Sequence, residues 1–314
     1  MIVIGTRGSK LALWQANHIR DQLQTYFPDL EVHIQIIKTT GDRLQAAVAA
    51  DVSSHVSTGI SAKGAFSKEI DQAQLEAKID VAVHSLKDLP TDLPVGLTLG
   101  AIPIREDARD MLISKNSTKL ADLQSGKKVG TRSLRRQTQL HYHRPDLKVV
   151  DLRGNVDTRI RKLHETDLSA IILAAAGLNR LFGSPPTLPH LELTPIPIDQ
   201  MVPAVGQGAL AVVARTDDVQ TLDLLKRIDH PISRAEVVAE RSALSTMATN
   251  ETGLGAGCQI PIGIYAKYTL VRLQMVGVIF SEKGLNRVRV EGSIDDPISI
   301  GQQMGQQLLT GAFN

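Results

Sequence analysis

The chain has a single cysteine, Cys258, in 314 residues. It has no partner for an intrachain disulfide, so a disulfide framework is excluded and a reducing compartment fits. Aromatic residues are scarce: five Phe, four Tyr and one Trp. A surface that stacks successive nucleobases is poorly supplied by so few rings. No run of about 18 uncharged apolar residues occurs, so no membrane span is expected. The opening MIVIGTRGSK lacks the basic leader and apolar stretch of a signal peptide, and a cytoplasmic setting is the expectation. CxxC, HExxH, Walker and GxGxxG patterns are missing, so metal and nucleotide sites have no support.

The chain holds 42% hydrophobic and 22% charged residues, the balance of an ordinary globular protein rather than a disordered, collagen-like or coiled-coil one. Its length is about two domains' worth at roughly 150 residues each, enough to bury sizeable cores. The net charge of +2 hides an asymmetry. Between Arg105 and Arg180 lie 16 basic and 9 acidic residues, against 19 and 24 in the remainder. A central basic block on a nearly neutral chain suggests a focused anion site more than a nucleic-acid coat.

The chain opens with an apolar run, Ile2–Ile4, and the turn Gly5-Thr6-Arg7-Gly8-Ser9. Apolar residues at 12, 16, 19, 23, 26 and 27 then follow helical spacing, with Ser9 as N-cap, and EVHIQIIKT reads as a strand. A weak repeat of this unit starts at Gly130-Thr131-Arg132-Ser133. If structural, it implies two similar α/β lobes, each aiming a helix N-terminus at a shared cleft. Residues 80–84 and 169–177 read as further strands, with His84 as a packed strand residue. Six of the fourteen prolines lie between Pro185 and Pro203, a crossover between lobes, and residues 207–213 read as a strand returning to the first. From about Pro231 the pattern becomes helix, glycine-rich loop, the alternating strands VRLQMVGVIF and NRVRVEGSI, and a last helix. That is a small α+β domain with an antiparallel sheet. The expected division is 1–103 with 209–226, 104–208, and 227–314.

Three groups of residues carry chemistry. Arg7, Arg132, Arg135, Arg136, Arg153, Arg159 and Arg180 mostly follow strands or start helices, where a guanidinium fork and free N–H groups suit carboxylates or phosphates. Solvated surface arginines are the competing reading. Ser85, Lys87 and Asp88 in HSLKDLP stand at a strand end, either as a site at a sheet's carboxyl edge or as an exposed ion pair. Cys258 in GAGCQIPIG is either an inert buried thiol or a reactive one on a loop whose glycines admit a ligand.

The strings LALWQA, KGAFSKEID, DVAVHSLKDLPT, GTRSLRRQTQL, DLRGNVDTRIRKL, AIILAAAGLNRL, PAVGQGAL and GAGCQIPIG occur in this order from end to end. Together they resemble the porphobilinogen deaminase family, the hydroxymethylbilane synthases. The resemblance implies two lobes like those of periplasmic binding proteins plus a third domain carrying a cysteine. It implies a dipyrromethane cofactor held by a thioether at Cys258, and an enzyme that deaminates porphobilinogen and joins four units head to tail before hydrolytic release. Asp88 matches the catalytic acid/base. Lys63, Ser85, Lys87, Asp88, Thr131, Ser133, Arg135, Arg136, Arg153 and Gly154 match cofactor-binding positions. Arg7, Ser9, Phe66, Arg153, Arg159, Arg180 and Gln207 match substrate-binding ones. No metal, membrane or nucleic-acid partner is implied, and a monomer is expected. The segments 43–62 and 243–257 are longer than the family's usual loops, Ala256 replaces a usual glycine, and Arg132 a usual small residue. A non-enzymatic two-lobed organic-anion-binding protein is the alternative.

Overall fold

The computed structural model describes residues 1–42, 67–116, 119–249, 261–281 and 284–313. The chain separates into two compact units, Met1–Arg105 with Ala209–Arg234, and Glu106–Gly208 with Ala235–Asn314. Among the described residues no helix is long and apolar enough to cross a membrane.

In the first unit, β1 (Ile2–Thr6), α1 (Lys10–Tyr26) and β2 (Val32–Ile36) form the expected opening. Ser9 caps α1, its Oγ accepting from the Ala12 N–H at 3.3 Å, which satisfies one of the free donors of the first turn. A short helix, α2 (Lys68–Leu75), precedes β3 (Val81–Ser85) and β4 (Leu97–Ala101), and β10 (Leu210–Arg215) returns from far along the chain. The sheet order is β2-β1-β3-β10-β4. The strands β1, β2 and β3 are parallel, and β10 runs antiparallel to β3 and β4. Ala16, Ile19 and Leu23 on one stripe of α1 pack on Ile2, Ile4, Val81, Val83, Leu210 and Val212.

The second unit repeats that topology. Its first sheet is built from β5 (Asp110–Ser114), β6 (Lys128–Gly130), β7 (Lys148–Val150), β8 (Ala170–Ala174) and β9 (Glu192–Pro195), in the order β7-β6-β8-β5-β9. Again one strand, β5, runs antiparallel to its neighbours β8 and β9, and β6 is parallel to β7 and β8. The helices α3 (Leu134–His143), α4 (Val156–Glu165) and α5 (Ala175–Phe182) follow β6, β7 and β8. The Gly-Thr-Arg repeat is therefore structural: Gly5-Thr6-Arg7 and Gly130-Thr131-Arg132 stand at the ends of equivalent strands and lead into α1 and α3. Both faces of this sheet are covered. Met111, Ile113, Ile171 and Leu173 enter one core, and Leu112, Ala170 and Ile172 the other. Two-sided burial explains why these strands read as continuous apolar runs.

Two element readings need correction. The strand read over 169–177 ends at Ala174, and Ala175 begins α5, whose small residues are buried against the sheet. The proline-rich stretch contains β9 at the sheet edge, where proline's missing N–H is tolerated.

Helix α6 (Val219–Leu225) follows β10 and leads to α7 (Pro231–Thr249). The final sheet, β11-β12-β13, is antiparallel, from β11 (Ile262–Thr269), β12 (Arg272–Ser281) and β13 (Gly284–Gly292), and α8 (Pro297–Phe313) closes the chain. Ile264, Leu273, Met275 and Val290 pack with Ala239, Ala243, Met304 and Leu308 of the two helices. The sequence pattern marked β12 and β13 but not β11, whose first residues belong to the sequence stretch GAGCQIPIG.

Candidate active site

In the first unit the parallel pairing of β1 and β3 brings their carboxyl ends to one sheet edge. Arg7 follows β1 there. Its Nε donates to Asp42 Oδ1 at 3.0 Å and its Nη2 to the same oxygen at 2.5 Å. Asp42 is held in turn by the Thr39 hydroxyl at 2.8 Å. Burial works to raise the Asp42 carboxyl, but the Arg7 and Thr39 hydrogen bonds outweigh it, and the group lies below its ordinary value.

At the end of β3, Gln15 Nε2 donates to Ser85 Oγ at 2.9 Å. One 3-10 turn, Leu86–Asp88, follows. Leu86 and Leu89 are buried and pin the turn, while Lys87 is half-buried and Asp88 is exposed. Apolar anchors on both sides of a charged pair fix where the carboxylate is presented. His84 Nε2 is shielded and has no hydrogen-bond partner among the described residues. Burial, with the nearby Arg7 charge, lowers its pKa to about 4. The ring is neutral at neutral pH, as suits a packed strand residue.

In the second unit the same logic gathers more groups. Asp110 opens β5 opposite Ala174 at the end of β8, so it stands at the carboxyl edge of the parallel strands. Thr131, after β6, is buried, and its Oγ1 accepts from the Ser133 N–H at 3.3 Å. Arg132 is exposed. Arg135 and Arg136 lie in the first turn of α3, the end where cations are disfavoured by the helix dipole. Asp110 answers that cost. Arg135 Nη1 reaches Asp110 Oδ2 at 2.7 Å, and Arg136 Nε reaches Oδ1 at 2.9 Å. Carbonyl oxygens of Val202 and Ile172 accept from Arg135 and Arg136 at 2.7 and 2.9 Å. Asp110 is fully buried, which alone would raise its carboxyl, yet the two guanidiniums hold it far below the usual range. Gln207 Nε2 adds hydrogen bonds to Asp110 Oδ1 at 3.0 Å and to the Ala108 carbonyl at 2.7 Å.

Arg153 is exposed and meets Asp151 at 3.0 Å. Gly154 has φ +117°, and its carbonyl accepts from Arg159 Nε at 2.7 Å. A side chain at 154 would be strained and would meet Thr158, so glycine is required there. Arg180 is nearly buried, and its Nη2 donates to the Gly208 carbonyl at 2.7 Å. Burial lowers its pKa to about 10, opposed by Glu106, and the side chain keeps its charge at neutral pH. Arg159 and Arg180 are each held to a backbone carbonyl, and Glu106 also acts on Arg180. This donor set of guanidiniums and hydroxyls suits a molecule bearing several carboxylates, and the buried Arg135 Nε has no hydrogen-bond partner among the described residues.

Lys63, Phe66 and Cys258 lie outside the described residues, as do Ala256 and the segment 43–62. Asp110, Asp42, Gln15 and Gln139 went unmarked in the sequence. Gln139 holds Val202 by two hydrogen bonds, at 2.7 and 3.0 Å. A signal existed for three of them. Gln15 and Gln139 fall on the apolar stripes of their helices, and Asp110 opens an apolar strand.

The family model described as "Porphobilinogen deaminase, dipyromethane cofactor binding domain" matches residues 2–223, and "Porphobilinogen deaminase, C-terminal domain" matches 234–310. The porphobilinogen deaminase of Pelotomaculum thermopropionicum is 43% identical over 310 residues, covering 98% of this chain and 93% of that one. That of Brevibacillus brevis is 42% identical over 307 residues, covering 98% and 93%. Among solved structures, a probable amino-acid transporter extracellular-binding protein from Bacillus subtilis aligns at TM-score 0.42 and 10% identity, over 72% of this chain and 89% of that one. With both family domains matched and relatives identical at more than two positions in five along nearly its whole length, the chain belongs to the porphobilinogen deaminase family.

Proposed function

We propose that this protein is a hydroxymethylbilane synthase, which deaminates porphobilinogen and joins four units head to tail before releasing the linear tetrapyrrole. The observation that carries the reading is the set of arginines and hydroxyls at the strand ends of a chain matching the dipyrromethane cofactor binding domain. Each pyrrole unit of the substrate carries two carboxylates, so a growing chain accumulates negative charge that these guanidiniums answer. Cys258 is the proposed thioether tether for the dipyrromethane, supported by its being the chain's one cysteine. When bound, that group supplies the pyrrole carbon to which the first substrate unit is joined.

Arg135, Arg136 and Arg153, with Lys63, Ser85, Lys87, Thr131, Ser133 and Gly154, are read as holding the cofactor's carboxylates. Arg7, Ser9, Phe66, Arg159, Arg180 and Gln207 are read as holding the incoming substrate and growing product. Asp88 is the proposed catalytic group. Loss of ammonia from porphobilinogen leaves an electron-poor methylene-pyrrole cation. A carboxylate presented on a pinned turn stabilises that cation through the pyrrole N–H, and takes part in proton transfer. The third domain, 227–314, is supported by a separate antiparallel sheet with its own core. A cytoplasmic monomer completes the reading. The test is direct: purified protein given porphobilinogen releases four ammonia molecules per linear tetrapyrrole. Substrate binding without ammonia release would favour an anion-binding protein instead.

A further inference from the structure

We infer that Asp110 is a positioning residue of the cofactor-carboxylate site, the group that fixes Arg135 and Arg136 in place before a ligand carboxylate arrives. The inference rests on reading those two arginines as cofactor ligands. A self-contained ion pair closes its own charge. Here one carboxylate faces two guanidiniums, whose side chains are only 6% and 7% exposed. Their other partners among the described residues are the neutral carbonyls of Val202 and Ile172. The cluster therefore keeps a surplus of one positive charge in a nearly sealed place, where an uncompensated ion is costly. The α3 N-terminus adds to the demand for an anion.

The geometry shows how one acid organises both cations. Arg136 meets Asp110 with its side edge, Nε at 2.9 Å and Nη2 at 2.8 Å. Arg135 meets it with its end, Nη1 at 2.7 Å and Nη2 at 3.2 Å. The side edge of Arg135 is therefore left over, and its Nε is buried with no partner among the described residues. Gln207 Nε2 takes a further position on Asp110 Oδ1, so three side chains fix the orientation of the carboxylate. A guanidinium held this way loses little freedom when it takes a ligand, which is the advantage of preorganisation.

The test uses the full chain, expressed where porphobilinogen is present, and reads the fraction carrying the pyrrole adduct by mass of the denatured protein. Asp110→Asn keeps the shape and removes the charge. The expected result is a far-ultraviolet circular dichroism spectrum like the parent's, with the adduct-carrying fraction lower by about tenfold or more. A folded variant whose fraction matches the parent's within about a factor of two would overturn the inference. Should the variant not fold, the parent decides, through the Arg Nε–H resonances of protein with and without adduct. Arg136, tied to Asp110, is expected to keep its resonance while that of Arg135 moves. Both moving, or neither, would overturn the inference. A parent protein that turns over while carrying no adduct would instead sink the tether itself, a separate failure.

Discussion

Gln15 Nε2 donates to Ser85 Oγ at 2.9 Å, so the middle of α1 is tied to the end of β3, immediately before the turn that presents Lys87 and Asp88. Gln15 is 3% exposed and shares its helix stripe with Ala16, Ile19 and Leu23. A polar side chain in a core position is worth its burial only when hydrogen-bonded. Gln15→Leu is expected to cost about 1 kcal/mol of stability and to lower kcat/KM several-fold by loosening Ser85. Thermal unfolding and steady-state kinetics on the same preparation check both; unchanged kinetics would make the contact purely structural.

Asp88→Asn keeps the shape of the exposed side chain and removes its charge. Unfolding should be unaltered, the adduct retained, and the rate lower by roughly a hundredfold or more, the scale of lost acid–base assistance. A rate within about a factor of three of the parent's would return Asp88 to an ordinary surface acid.

Arg159 is anchored through Nε to the Gly154 carbonyl and is read as holding a substrate carboxylate. Arg159→Met should raise KM for porphobilinogen about tenfold or more, the loss of one charge-assisted hydrogen bond. An unchanged KM would remove Arg159 from the binding set.

Gly154→Ala tests the backbone at that anchor. With φ at +117° and Thr158 in the way of a Cβ, the substitution should destabilise by about 1–3 kcal/mol. Thermal denaturation reads this directly, and a melting temperature equal to the parent's would show that the turn can relax.

His84 makes stability fall with acid. Its folded pKa of about 4 lies below the unfolded 6.5, so the unfolded chain binds the proton more readily. The stability contributed by the neutral ring is fully present above pH 6.5 and is lost as pH falls towards 4, by an amount on the order of 3 kcal/mol. His84→Gln should flatten this part of the melting-temperature profile. An equally steep fall in the variant would assign it to other groups.

The repeated strand–turn–helix units could be read in the sequence because Gly-Thr-Arg and a helical stripe are local signals. The apolar run read over 169–177 also reported burial at 170–174, whereas the run at 110–114 went unread. The strand β11 was hidden because it starts inside a stretch rich in glycine and proline. The candidate arginines were legible as residue types, but how each is used was not. Whether a guanidinium meets Asp110, as Arg135 and Arg136 do, or a carbonyl, as Arg159 and Arg180 do, depends on pairings across tens of residues. Asp110 ends the charged run REDARD and opens an apolar strand, a signal of burial, but nothing local reveals that β5 would insert beside β8.

The mass of the denatured, active protein tests the central claim most directly. The account predicts a chain heavier than its sequence by one dipyrromethane, and a Cys258→Ser variant that has the bare mass and no turnover. An active parent protein at the bare mass, or an active Cys258→Ser variant, would contradict it.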